Sequence, residues 1–436
     1  MPEGPGKQAG ILKTLAAEES VHGAMKGQQK GSWRFFLRPL GTSQWACWLG
    51  LLAVALALRF FFLDARPPHH DEAIHGHFAW ELLHRSSYRY DPTYHGPLQY
   101  FLLAGLFALF GESDFVLRSL SALCGSLLVL VPWLLAKRVG SLAALSMGLL
   151  LAFSPTFLYY SRFARNDVPV AAFTACALAL LWRHDRQPAP VLPWVAFFLA
   201  LHATAKETIY VYGFLWLLAG LGTAFWVGLG KSRQWLGQLL GHRQQIGLAL
   251  AVFLGLCLLF YTAFFSWPQD VLFPVKAIAY WYGQHKVQRV GGPWYYHLPR
   301  LALYEFLILA LALAGAWRRR HKLTPVERFL LLWGFASLAC YAYLGEKVPW
   351  LAVHQLLPWV PLAGNQLAFL WSRSGHGLGK SLSLVGGVAT LWSSLACTYL
   401  YPTIEPRDPH AELLVFVQTT EEEKRVAKRG LEWYRS

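Results

Sequence analysis

Pro97-Leu-Gln-Tyr-Phe-Leu-Leu-Ala-Gly-Leu-Phe-Ala-Leu-Phe110 is fourteen residues long and almost wholly apolar. Whether it crosses a membrane decides the topology of everything around it. A helical span needs roughly 20 such residues, so this run reads as an interfacial or re-entrant helix. The chain that carries it has 436 residues, 55% hydrophobic and 14% charged, with 20 Trp and 28 Phe. A soluble protein carries about 25% charge. The expected fold class is therefore an all-α polytopic membrane protein.

Longer apolar runs lie near 45–63, 117–136, 141–160, 168–183, 191–205, 208–229, 246–266, 301–317, 326–344, 350–371 and 380–401. Charge placement tests the arrangement. With Pro97–Phe110 on the outer surface and the amino-terminal tail inside, the cytosolic loops hold Lys137-Arg138, Arg183 and Arg186, Lys231, Arg233 and Arg243, Arg318-Arg319-Arg320 with Lys322, and Arg373 with Lys380. This obeys the positive-inside rule, whereas a spanning Pro97–Phe110 would put the Arg318–Lys322 cluster outside. The expectation is about 11 transmembrane helices, with the amino terminus cytosolic and the carboxyl terminus outside. The net charge of +15 then marks orientation and phosphate binding, and no nucleic-acid partner is implied. The bilayer itself is the first partner.

Three regions follow. Residues 1–44, with Lys7, Lys13, Lys26, Lys30, Arg34 and Arg38 and no apolar core, read as a cytosolic tail. Residues 45–401 form the transmembrane domain, with outer loops at 64–116 and 267–299. Residues 402–436 form an outer tail. There Leu413–Val417 reads as a strand, and Thr420-Glu-Glu-Glu423 opens a helix to Trp433 with the form of a capping box. Such a pair either packs on the membrane domain or begins a longer soluble domain. The six cysteines each sit inside an apolar run with no C-x-x-C pair, so neither a disulfide framework nor a zinc site is implied.

This topology gathers the unusual polar motifs on the outer face. Arg66-Pro-Pro-His-His-Asp-Glu-Ala-Ile-His-Gly-His77 brings Asp71 and Glu72 together with four histidines. Asp71 reads as a general base beside Glu72; the same pair is also good chemistry for a helix amino terminus. His70 and His75 are the candidate ligands for a divalent cation, although the spacing matches no fixed zinc pattern. Polar lining of a cavity is the other reading of these histidines. Tyr90-Asp-Pro-Thr-Tyr-His-Gly-Pro97 makes a tight turn that presents His95 to a phosphate or a leaving oxygen.

Ser161-Arg-Phe-Ala-Arg-Asn-Asp167 places Arg162 and Arg165 on the outside, against the charge trend, where a helix amino terminus and bidentate guanidinium contacts suit an anion. Asp167 is a second acid. Lys206-Glu207 and Glu346-Lys347 repeat the mixture, with Lys206 and Lys347 as further phosphate ligands. In the loop 267–299, His285, Lys286, Tyr295 and Tyr296 are candidate substrate contacts, with the alternative that its aromatics form an interfacial belt. Glu305, inside a span, is an acid that needs a reason.

These motifs resemble those of the GT-C membrane glycosyltransferases, which include protein O-mannosyltransferases and lipid A aminoarabinose transferases. The likeness is strongest to the "flippase activity-associated" branch, which carries His-Asp-Glu-Ala-Ile-His-Gly, Tyr-Asp-Pro-x-Tyr-His-Gly-Pro and Glu-Lys-Val-Pro-Trp. It covers roughly 45–420 and includes Phe110-Gly-Glu-Ser-Asp-Phe-Val-Leu-Arg118. The resemblance implies juxtamembrane helices in the first outer loop, a polyprenyl-phosphate-linked sugar as donor, a catalytic acid at Asp71 and the acid of the second outer loop at Asp167. His95 precedes Gly96-Pro97 where relatives carry Lys or His before Pro-Pro-Leu. The expected function is sugar transfer to a protein or glycolipid acceptor on the outer face of the cell membrane. The alternatives are a flippase for lipid-linked sugar and a non-catalytic partner in surface glycan assembly. No cofactor is required by the motifs, and the histidines leave room for a divalent cation.

Overall fold

Every regular element among the described residues is helical, and no strand occurs among them. The computed structural model describes residues 42–85, 88–185, 187–287, 291–373 and 377–400, with 413–414, 425–426, 428–430 and 432–433 of the tail. The chain divides into two compact units, 1–49 and 50–436, and the interactions below belong to the second. Most of the expected cytosolic tail lies outside the described residues. So do most of the expected strand and helix of the outer tail.

Helix α1 (Thr42–Phe60) is followed by α2 (His70–Arg85), which carries Asp71 and Glu72 in its first turn. A single turn at Pro92–Tyr94, capped by the Asp91 side chain on the Thr93 amide, leads to α3 (Leu98–Phe110) and α4 (Asp114–Leu128). Helix α3 has 13 residues. At 1.5 Å per residue it is about 20 Å long, less than the hydrocarbon thickness. It packs along α2, and Ala79, Leu103, Phe107, Val116, Leu117 and Ala164 bury one shared core between α2, α3, α4 and the loop before Asp167. Burial of this kind contributes about 1.5–3 kcal/mol for each large apolar side chain.

The chain continues through α5 (Ser141–Phe153), α6 (Pro155–Tyr160), α7 (Asp167–Arg183), α8 (Leu192–Ala205), α9 (Thr208–Val227), α10 (Leu229–Leu240) and α11 (Arg243–Tyr261). Helix α8 packs on both α7 and α11. After α12 (Phe273–Val287) come α13 (His297–Tyr304) and α14 (Phe306–Arg318), bent by 89° at Glu305. Helices α15 (Pro325–Tyr343), α16 (Trp359–Ser372) and α17 (Leu378–Leu395) complete the described core.

Four described helical stretches, 114–139, α9, α11 and 378–400, are long and apolar enough to cross a membrane, and a fifth if the bent pair α13–α14 is one span. The eleven expected runs therefore do not each form one unbroken helix of spanning length. The run 141–160 shows why. Pro155 has no amide proton to continue α5, and Ser154 turns the chain by capping the Phe157 amide.

One buried ion pair holds the first loop to the helices. Glu72 Oε1 accepts from Arg118 Nε at 2.8 Å and from the Ala164 amide at 2.8 Å; its Oε2 accepts from a second Arg118 nitrogen at 2.9 Å and from the His69 amide at 2.8 Å. Arg118 also donates to the carbonyls of Leu63, Arg66 and Pro67. Both side chains are fully buried. Its oxygens are thus occupied by donors from three chain segments. Burial alone would raise this carboxyl, but the Arg118 guanidinium overrides it and holds the group down at about 2.

Two outcomes follow for thermal unfolding of the purified protein. Glu72→Gln leaves the Arg118 charge uncompensated and costs about 3–5 kcal/mol. In the wild type, the contribution of this pair is present above the ordinary carboxyl value of about 4.3 and is lost as pH falls toward about 2. The variant's Tm lacks that acid-dependent component; an equal acid response in both proteins would refute the assignment.

Candidate active site

Asp167 is the first residue of α7, where the helix dipole favours an anion. It is 1% exposed and fully engaged. Its Oδ1 accepts from Lys206 Nζ at 2.6 Å and from His354 Nε2 at 2.9 Å, and its Oδ2 accepts from Arg165 Nε at 3.3 Å. His354 Nδ1 is in turn 2.8 Å from the Tyr212 hydroxyl. The other end of Arg165 meets the Asp71 carboxylate directly, and its guanidinium lies 3.5 Å from the Trp350 ring centroid. The result is a row of alternating charge, Asp71, Arg165, Asp167, Lys206. Only Asp71, with a side chain 29% exposed, reaches substantially toward solvent; the other three are 6% exposed or less.

A cavity of about 310 Å³ opens at the Lys206 end, lined by His95, Lys206, Glu207, Trp281, Glu346 and Trp350 among others. Trp350 joins the cavity to the charge row through Arg165. Asp71 itself is not in the cavity wall; it pairs with Arg165, which contacts the wall residue Trp350.

His95 is held from every side. Its backbone has φ +71°, uncommon for a residue with a side chain. The next residue must be glycine, because a Cβ at Gly96 would lie 2.2 Å from the Thr204 carbonyl oxygen. The imidazole stacks on Trp281, with centroids 5.5 Å apart and planes 5° from parallel. Its Nδ1 donates to Glu207 Oε2 at 3.1 Å, while Glu207 Oε1 accepts from the Tyr90 hydroxyl at 3.0 Å.

The remaining expected site residues divide clearly. Arg162 and Lys347 have other employment than the expected phosphate contacts. Arg162 donates to the carbonyls of Leu58, Arg59, Phe61 and Phe62, closing the end of α1. Lys347 Nζ donates to the carbonyls of Tyr341, Ala342 and Leu344, closing the end of α15. Each satisfies helix-terminal acceptors that would otherwise be orphaned. Lys286 is exposed, with its ammonium 4.5 Å from the Tyr282 ring. Tyr295 is 49% exposed, and Tyr296 carries Arg300 over its face. None of these three lines the cavity, and the side chain of His285 lies outside the described residues.

The candidate metal ligands are not brought together. His70 is exposed, while His75 is buried beside Tyr100, with ring centroids 5.5 Å apart. Burial, reinforced by His95 and Lys206, pushes the His75 imidazole down to about 3. Among the described residues, no three His, Cys, Asp or Glu side chains form a metal-binding group.

His354 and Trp281 were absent from the expected site. His354 carried a signal, since it is a lone histidine inside the apolar run 350–371. Trp281 was indistinguishable in sequence from the other aromatics of its loop.

The model of the family described as dolichyl-phosphate-mannose-protein mannosyltransferase matches residues 94–255. An undecaprenyl phosphate-alpha-4-amino-4-deoxy-L-arabinose arabinosyl transferase of Pseudomonas paraeruginosa is 28% identical over 62% of this chain and 48% of its own length. One from Pseudomonas fluorescens is 28% identical over 86% of this chain and 70% of its own. The chain thus spans about half the length of the first of these relatives. The crystal structure of ArnT from Cupriavidus metallidurans in the apo state superimposes with a TM-score of 0.63 at 20% identity, covering 85% of this chain and 67% of that one. In sequence the chain is thus similar to the arabinosyl transferases named above, in fold it is similar to ArnT, and its apolar helices together with these likenesses mark it as an integral membrane protein.

Proposed function

We propose that this protein transfers a sugar from a polyprenyl-phosphate donor to an acceptor on the outer face of the cell membrane, with Asp71 as general base. The observation that carries the reading is the charge row Asp71–Arg165–Asp167–Lys206, which runs from a partly exposed carboxylate to the wall of the cavity. Two carboxylates in one row have different environments and different tasks. Asp167 is buried and saturated, so it fixes Arg165 and Lys206. Asp71 retains an accessible side chain, so it can take a proton.

In this mechanism the acceptor's O–H or N–H hydrogen-bonds to Asp71. The acceptor atom attacks the anomeric carbon, the bond from that carbon to the phosphate oxygen breaks, and the proton ends on Asp71. The leaving polyprenyl phosphate keeps the bonding pair. Lys206 and His95, both in the cavity wall, offset its growing charge, and their prior fixation by Asp167 and Glu207 removes the need to reorganise during the reaction. Arg165 orients Asp71. The polyprenyl chain lies along the apolar helices. The acceptor is a protein or a glycolipid.

Purified Asp71→Asn is expected to keep the wild-type unfolding temperature and to lose transfer from a polyprenyl-phosphate sugar by at least about 100-fold. A folded variant with full activity would falsify this role.

A second comparison separates the cations. Lys206→Gln is expected to weaken binding of bare polyprenyl phosphate about tenfold or more, the scale of one charge-assisted hydrogen bond. Arg162→Gln is expected to lower the unfolding temperature and leave the affinity of the folded protein unchanged. The reverse pattern would move the phosphate site to Arg162.

A further inference from the structure

The segment 344–348 joins α15 to the turn Pro349–Leu351 and puts two neighbouring charges to opposite uses. Lys347 is drawn inward, 3% exposed, by the carbonyls at the end of α15. The packing is close: a Cβ on Gly292 would come within 3.1 Å of the Lys347 side chain. Glu346, its neighbour, lines the cavity, and Lys347 does not.

The other charged groups of that wall are already engaged. His95 and Glu207 hold one another, and Lys206 holds Asp167. Glu346 is half-buried and, among the described residues, has no hydrogen-bond or ion-pair partner within contact distance. The same cavity wall carries Trp281, Tyr282, Tyr341 and Trp350. A carboxylate among aromatic rings loses hydration, and that loss is offset when a ligand supplies hydrogen-bond donors. Aromatic walls with one well-placed polar group are also the usual construction of a small-molecule site.

We propose that Glu346 recognises the transferred sugar, accepting hydrogen bonds from its O–H or N–H groups while the aromatic side chains cover its apolar faces. This rests on the donor reading of the cavity and assigns its parts. Lys206 and His95 take the phosphate, and Glu346, across the cavity wall, takes the sugar. Glu346 is thus a specificity-determining contact that does not take part in the proton transfer assigned to Asp71.

The test is equilibrium binding to the full chain in lipid nanodiscs, with three probes: bare polyprenyl phosphate, polyprenyl phosphate carrying a neutral hexose, and polyprenyl phosphate carrying an amino sugar. Glu346→Ala is expected to weaken the better-bound sugar-bearing probe about tenfold or more and to leave the bare lipid unchanged. The isosteric Glu346→Gln guards against a folding defect and separates the two sources of donor. A loss confined to the amino-sugar probe identifies an ammonium group, and equal losses on both sugar probes identify hydroxyls. Equal weakening of the bare lipid overturns the proposal, since Glu346 would then act on the phosphate site. Unchanged binding of all three probes overturns it as well. Failure of the wild type to prefer any sugar-bearing lipid or to bind the bare one strikes instead at the donor reading itself.

Discussion

The site depends on a charge pair that never touches it. Arg118 is buried in α4, and Glu72 at the start of α2 is what makes that burial tolerable. The pair works as a knot of backbone, because Arg118 also takes three carbonyls from 63–67 and Glu72 takes the amides of His69 and Ala164. The Ala164 amide belongs to the loop that ends in Arg165 and Asp167. Glu72 therefore sets the distance between the turn carrying Asp71 and the loop carrying its partner. A buried pair of this kind adds little net stability compared with an apolar substitute, yet loss of one member is costly. What it provides here is register between two loops that no secondary structure connects.

The adjacent acids Asp71 and Glu72 show how one helical turn separates chemistry from scaffolding. Neighbouring positions on a helix point about 100° apart. One carboxylate goes inward to Arg118 and the other outward to Arg165 and solvent. The same division recurs at Glu346-Lys347, and with less contrast at Lys206-Glu207, where both side chains line the cavity and differ in the partner they hold.

The class of fold was legible in the sequence because apolar composition and loop charge act over long stretches. The brevity of α3 was equally legible, since length is counted directly. The number of unbroken spans was not, because one proline or one serine cap, as at Ser154-Pro155, divides a hydrophobic run without changing its mean hydropathy. At the site, residues that differ from their surroundings stood out: Asp71, Arg165, Asp167, Lys206 and His95. Sequence could not say which cations were spoken for. Arg162 and Arg165 are three residues apart with the same side chain, yet one meets helix-end carbonyls and the other meets two carboxylates. That difference is set by contacts about a hundred positions away in the chain. His354 and Trp281 entered the site for the same reason, through tertiary contacts invisible in their neighbours.

The close approach of Gly96 to the Thr204 carbonyl has a consequence for how this protein can vary. Gly96 touches no reacting group and carries no charge, but any side chain there would have to push apart the turn with His95 and the chain leading to Lys206. Since those two side chains flank the same cavity, a single added methyl would widen the gap between them without altering either. Spacing between charges can in this way be inherited through an atom that is absent, and the chain could drift freely in its apolar surfaces while this one contact keeps its gauge.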